Sequence, residues 1–163
     1  MVFFSKLLDK LNLLIEYIVC LLLAVMVVTV FLQVIFRFVI HSSLPWSEEL
    51  ARYILVWLSF LGASIGVRRK AHIGVAAITN LLKGVWRRGV SILVPLFATV
   101  FFLFLTIYGY RILKVVFYQL SPAMEISMAI PYSAVCVSSV LMVLYSVDDF
   151  VKVLAAIGGG GGR

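Results

Sequence analysis

Four stretches of this chain contain no charged residue: 17–36, 53–67, 89–110 and 126–147. Such runs can be hidden in a large core or in a bilayer, and each crossing of a bilayer takes about 20 residues of helix. Of the 163 residues, 64% are hydrophobic and 13% charged, whereas a soluble domain is roughly half apolar and about a quarter charged. A soluble fold of this composition leaves apolar surface it cannot cover, so the solvent is lipid. The expected fold class is an all-α membrane protein of about four transmembrane helices, roughly 13–40, 46–67, 89–118 and 127–154. They form a single membrane domain, 1–157, with no room for a separate catalytic domain. The first run is longer than the apolar core of a signal peptide and lacks a small-x-small cleavage site, so it is expected to stay. The glycine-rich 158–163 reads as a linker or expression remnant.

Orientation follows from Lys and Arg, which accumulate in cytoplasmic loops. Lys6, Lys10, Arg68, Arg69, Lys70, Lys83, Arg87, Arg88, Lys152 and Arg163 fall on one side, and Arg37, Arg52, Arg111 and Lys114 on the other. Both termini and the middle loop are therefore expected in the cytoplasm. That loop carries Ile73, Ile78, Leu81, Leu82, Val85 and Trp86 at near-helical spacing between basic ends, which predicts an amphipathic segment in the headgroup layer. The formal charge of +7 is then explained by topology and by contact with phospholipid headgroups, and calls for no nucleic acid.

Helix 2 carries the most information. Its uncharged run spans only about 22 Å against roughly 30 Å of hydrocarbon, so Glu48, Glu49 and Arg52 fall at the outer boundary. At 100° per residue, Glu48, Arg52, Ser59, Gly62, Ala63 and Gly66 share one face, while Trp57, Leu61 and Ile65 lie opposite. The small face, with Gly62-xxx-Gly66, predicts close helix packing. Glu48 and Arg52 are spaced for an i,i+4 pair, and with Trp46 and Glu49 they form a candidate outer contact site. Pro45 and Pro131 suit helix starts. Ala129, Ser133, Cys136 and Ser139 predict a second small face, on helix 4. Glu16, a carboxylate inside helix 1, is either an interfacial group or a proton-exchanging one.

Chemistry has few residues to carry it. No Ser/His/Asp set, H-E-x-x-H or phosphate-binding glycine loop is present, so the chain is not expected to be an enzyme. His41 and His72 lie at the ends of apolar runs, badly placed for a haem between helices. Cys20 and Cys136 fall near opposite membrane faces, and no cofactor or metal is expected.

The segment Ser43-Leu44-Pro45-Trp46-Ser47-Glu48-Glu49-Leu50-Ala51-Arg52, with Leu61-Gly62-Ala63-Ser64 and Val67-Arg68-Arg69-Lys70-Ala71-His72-Ile73, resembles the small membrane subunit of tripartite ATP-independent periplasmic (TRAP) transporters, the DctQ/SiaQ-like family. Ser121-Pro122-Ala123 and Ile130-Pro131-Tyr132 extend the likeness over nearly the whole chain. The resemblance implies an accessory scaffold subunit in the bacterial inner membrane, partnered by a large membrane subunit with the sodium-coupled path. A periplasmic substrate-binding protein would deliver an organic acid, either a carboxylate or a sialic acid. It also implies outer contacts for Trp46, Glu48, Glu49 and Arg52, and helix packing for Gly62 and Gly66, on the face that Ser59 and Ala63 share. Arg68, Arg69 and His72 would mark the cytoplasmic boundary, to which the charge count adds Lys70, Arg87 and Arg88. Ala76 and Ala77 depart from the family, many of whose members carry an acid there. The rival readings are a four-helix proton-coupled exporter using Glu16 and a membrane anchor for a quinone or haem enzyme.

Overall fold

The computed structural model describes the backbone of residues 2–42, 44–69 and 85–159, and the side chains of residues 4–42, 44–69 and 89–155. Four helices account for most of it: α1 (Val2–Phe38), α2 (Pro45–Arg68), α3 (Val85–Val116) and α4 (Ala129–Gly159). Each is long and apolar enough to cross a membrane, so the chain is an all-α, four-span membrane protein. The helices outrun the uncharged stretches that predicted them. α1 starts at Val2, not near 13, because Lys6, Asp9 and Lys10 bring charge but no helix breaker. Its 37 residues reach about 55 Å, well beyond roughly 30 Å of hydrocarbon, so the charged turns stand outside the apolar layer. α4 likewise continues past 154 through Gly158 and Gly159.

Two of the prolines sit where a missing N–H is harmless: Pro45 opens α2 and Pro131 lies in the first turn of α4. Pro95 is inside α3, where Thr99 donates its hydroxyl to the Pro95 carbonyl at 2.7 Å. The amphipathic segment expected before α3 falls outside the described residues apart from Val85 and Trp86, which belong to the first turn of α3. Residues 160–163 of the glycine-rich tail also fall outside.

The helices lie in a row, α1 against α2, α2 against α4, and α4 against α3. Neighbours α1 and α2 are antiparallel, as are α3 and α4, while α2 and α4 run in the same direction. Along α1 a seam of buried and half-buried residues runs Leu8, Asn12, Ile15, Val19, Leu22, Met26, Thr29, Gln33 and Phe36. The alternating steps of four and three are the 3.5-residue repeat that keeps one stripe facing a partner helix. α4, placed between two neighbours, buries mostly small side chains: Ala129, Ala134, Ser138 and Ser139, with Met142 and Tyr145. Small residues let helix backbones approach where lipid supplies no hydrophobic drive for association. α3 comes close to α4 at Gly109, where an added Cβ would meet Cys136 Sγ at 3.2 Å and Val135 Cγ1 at 3.5 Å. One turn away, Thr106 donates to Ser139 Oγ at 2.9 Å.

A compact connection joins α3 to α4. Leu120 and Ser127 form an antiparallel bridge, the Ser121 N–H donates to the Ile126 carbonyl at 2.9 Å, and that of Met128 to Gln119 at 2.8 Å. Glu125 turns the chain with a positive φ of 53°.

The Gly109 contact yields a direct test. Gly109→Leu should force α3 away from α4 and destabilise the bundle by about 1–3 kcal/mol, the usual cost of overpacking. Gly109→Ala should cost much less and be relieved by Cys136→Ala, as read from thermal unfolding midpoints in detergent.

Candidate functional site

Two polar clusters, one at each end of the bundle, hold the helices in register. The first centres on Arg68, at the last turn of α2. Its Nη1 donates to Asp148 Oδ2 at 2.5 Å, on α4. Its Nε and Nη2 donate to Asp9 Oδ1 at 3.0 and 2.6 Å, on α1. Nη2 also reaches the Ser5 carbonyl at 3.0 Å and Ser5 Oγ at 3.1 Å. Lys152, one turn past Asp148, donates to the same carboxylate at 2.7 Å and to Ser5 Oγ at 2.6 Å. The guanidinium also stacks over the Tyr145 ring at 5.5 Å. The Arg68 and Asp148 side chains are only 8% and 7% exposed, so this is a shielded pair joining three helices. A planar fork of five donors suits that task where a lysine would not. Beside it, Arg69 grips both oxygens of Glu16, at 2.9 and 2.6 Å, and Asn12 donates to Glu16 Oε1 at 2.6 Å.

The second cluster lies at the opposite end. Glu49 is buried in the first turns of α2, 6% exposed. Its Oε2 accepts the backbone N–H groups of Ala123 and Met124 at 3.0 and 2.9 Å, while Oε1 accepts the Tyr53 hydroxyl. One carboxylate thus ties the α3–α4 connection to α2, with its charge answered by oriented N–H dipoles in place of a cation. Ser47, also buried, donates its hydroxyl to the Leu44 carbonyl at 2.8 Å.

These positions redistribute the roles expected from sequence. Glu48 and Arg52 pair at 3.4 Å with both side chains 68% exposed, a solvated contact of small energetic weight. Trp46 is exposed beside them. Glu49, expected among the outer contacts, is instead engaged within the chain, because the α3–α4 connection folds back over it. Arg68 and Arg69, expected to mark the cytoplasmic boundary, are turned onto acids of α1 and α4. Lys70 and His72 lie outside the described residues, as do the side chains of Arg87 and Arg88.

The small face of α2 points away from the rest of the bundle. The buried residues of α2 are Ser47, Glu49, Tyr53, Ile54, Leu61 and Ser64; by helical rotation their centre lies opposite Ser59, Gly62, Ala63 and Gly66. Ser59 and Ala63 are exposed, Ser59 returning its hydroxyl to Leu55 at 2.8 Å. A Cβ added at Gly62 or Gly66 would meet nothing within 4 Å among the described residues. This face, with Glu48 and Arg52 at its N-terminal end, is uncovered by the other three helices. Among the described residues no three His, Cys, Asp or Glu side chains converge as metal ligands.

Sequence reasoning missed Ser5, Asp9, Asn12, Tyr53 and Asp148, and counted Lys152 for orientation without its pairing to Asp148. The available signals were i,i+4 spacings, Glu49 to Tyr53 and Asp148 to Lys152, and the placing of Asp9, Glu16 and Asp148 at the membrane end that also carries Arg68 and Arg69.

Two outcomes should separate the clusters. Arg68→Ala leaves Asp148 to Lys152 alone and unties α1 from α2, at an expected cost below the roughly 3–5 kcal/mol of a fully stranded buried charge, whereas Arg52→Ala leaves unfolding in detergent nearly unchanged. Glu49→Ala should accelerate hydrogen exchange at the Ala123 and Met124 amides by about tenfold or more, with exchange in the middle of α3 unaffected.

Comparison with known proteins gives a consistent picture. The family described as tripartite ATP-independent periplasmic transporters, DctQ component, matches residues 26–156. A putative TRAP transporter small permease protein of Haemophilus influenzae is 38% identical over 61 residues, 37% of this chain and 38% of that protein. Another protein of the same description and organism is 27% identical over 137 residues, 84% of this chain and 83% of that one. The sialic acid TRAP transporter permease protein SiaT of the same species is 44% identical over 50 residues, 31% of this chain but 8% of its own length.

Proposed function

The chain belongs to the DctQ family of TRAP transporter components, and on that basis we propose that it is the accessory subunit that supports a larger transport subunit in a sodium-coupled importer of organic acids. The observation that carries this reading is the outward face of α2, where Gly62 and Gly66 have no neighbour among the described residues. A small, weakly polar stripe in lipid gains by close packing against another helix, and the four described helices place none there. The match inside a much longer permease chain, of which it covers 8%, supports a relative in which such a segment and a larger permease are covalently joined.

The distribution of Lys and Arg and the family membership support the rest of the proposal. The subunit sits in the bacterial inner membrane as a single domain over 1–157, with both termini cytoplasmic. The end bearing Arg68, Arg69, Lys70, His72, Arg87 and Arg88 faces the cytoplasm and its phospholipid headgroups. The opposite end presents Trp46, Glu48 and Arg52, together with the α3–α4 connection held by Glu49, to a periplasmic substrate-binding protein. Substrates are carboxylates or sialic acids, in keeping with the transporter whose permease it resembles. Glu16, the residue on which an exporter would depend, is held by Arg69 and Asn12, an arrangement suited to a structural contact.

Co-expression with the large subunit and purification from detergent tests this directly. The tagged chain should recover the larger protein in one-to-one amounts, and uptake should require both plus the binding protein. Self-association with uptake by this chain alone would sink the proposal. Replacing Gly62 and Gly66 together by Leu should abolish recovery of the partner while leaving the chain's own unfolding midpoint unchanged, since neither position has a neighbour to clash with among the described residues.

A further inference from the structure

The most apolar window of α3 has none of its residues buried in the chain's own fold, and the exposed surface there is shaped. Phe97, Val100, Phe101, Phe104, Leu105 and Tyr108 line an open groove whose surface is almost wholly apolar. Phe104 and Tyr108 stack at 5.4 Å with rings inclined by only 16°, forming a flat wall. Positions 97, 101, 104, 108 and 111 follow one stripe at helical spacing, so the groove runs directly to Arg111. That guanidinium lies 5.5 Å over the Tyr108 ring. One turn on, Lys114 lies 4.7 Å over Tyr110. Both cations are exposed, and among the described residues neither has a carboxylate partner.

We propose that this stripe is a binding site for an anionic phospholipid, with the phosphate on Arg111 and one acyl chain along the aromatic groove. The stripe rises about 21 Å from 97 to 111, enough to cover the roughly 15 Å half-thickness of the hydrocarbon. Its cation therefore stands at headgroup depth when its apolar floor stands in the acyl layer. A guanidinium held by a tyrosine face keeps its fork of donors free for phosphate oxygens. A protein helix is the poorer occupant, because bulky aromatic side chains hold a second backbone away, and the face built for close packing is on α2.

The test uses native mass spectrometry of the full chain, purified alone and with the large subunit, after equilibration with equal phosphatidylglycerol and phosphatidylcholine. One retained phospholipid is expected, with the anionic class favoured about tenfold, the weight of one charge-assisted phosphate contact. Arg111→Gln should abolish the preference, and Phe101→Ala with Phe104→Ala should lower retention of both lipids. Arg37→Gln is the control: Arg37 lies 5.9 Å over Phe38 at the same membrane face and should have no effect. A second measurement, independent of those variants, places a photo-crosslinking residue at position 104 in cells. Capture of phospholipid supports the site; capture of a protein overturns it, as does lipid retention that shows no preference or is unchanged by Arg111→Gln.

Discussion

Arg68 is the group that α1, α2 and α4 have in common. In a bilayer, apolar surface gives helices no reason to prefer one another over lipid, so the arrangement of a bundle depends on close packing and on polar groups with few alternatives. A shielded guanidinium satisfied by Asp9, Asp148 and Ser5 has one low-energy setting. It draws the start of α1 and the last turns of α4 to the end of α2, and so puts both ends of the chain on one side. Glu49 does the equivalent work at the far end, holding the connection before α4 against the beginning of α2. With both ends of α2 fastened to α4, the two helices must run in the same direction.

The open face of α2 is a consequence of that placement. α2 receives α1 and α4 on the side that buries Tyr53, Ile54, Leu61 and Ser64, and its small residues are left opposite. α4 uses its small residues differently, on α3, with Thr106, Gly109, Cys136 and Ser139 at the contact. Each of the two helices has two neighbours, and the distinction lies in whether a neighbour covers the small face.

Much of this was legible in the sequence. The uncharged runs revealed all four helices, and the W-S-E-E-L-A-R segment with its following basic cluster pointed to the family. The 100° geometry separated the faces of α2 correctly, because helix periodicity depends on local backbone alone. Helix ends were harder: a charge marks where lipid ends, which is not where a helix ends, and so α1 began eleven residues before its expected start near 13. The partners of Arg68 and Glu49 were hidden for a different reason. Reading topology from Lys and Arg leaves the acids out, so Asp9, Glu16 and Asp148 carried no weight, although they share a membrane end with the arginines they bind. Nor does any local signal reveal that the Ala123 and Met124 amides, 74 and 75 residues away in sequence, return to Glu49.

The parallel course of α2 and α4 has an electrical side. Each helix carries a macrodipole equal to about half a positive charge at its N-terminus, and here two such ends stand together at one membrane face. Side-by-side alignment of like dipoles is unfavourable, most of all where water is scarce. A carboxylate beside the start of α2, joined to the amides just ahead of α4, is the counter-charge that such an arrangement calls for. The negative sign at position 49 therefore matters apart from its hydrogen bonds. An amide there would keep much of the shape and remove the one buried counter-charge between the two positive ends, leaving the exposed Glu48.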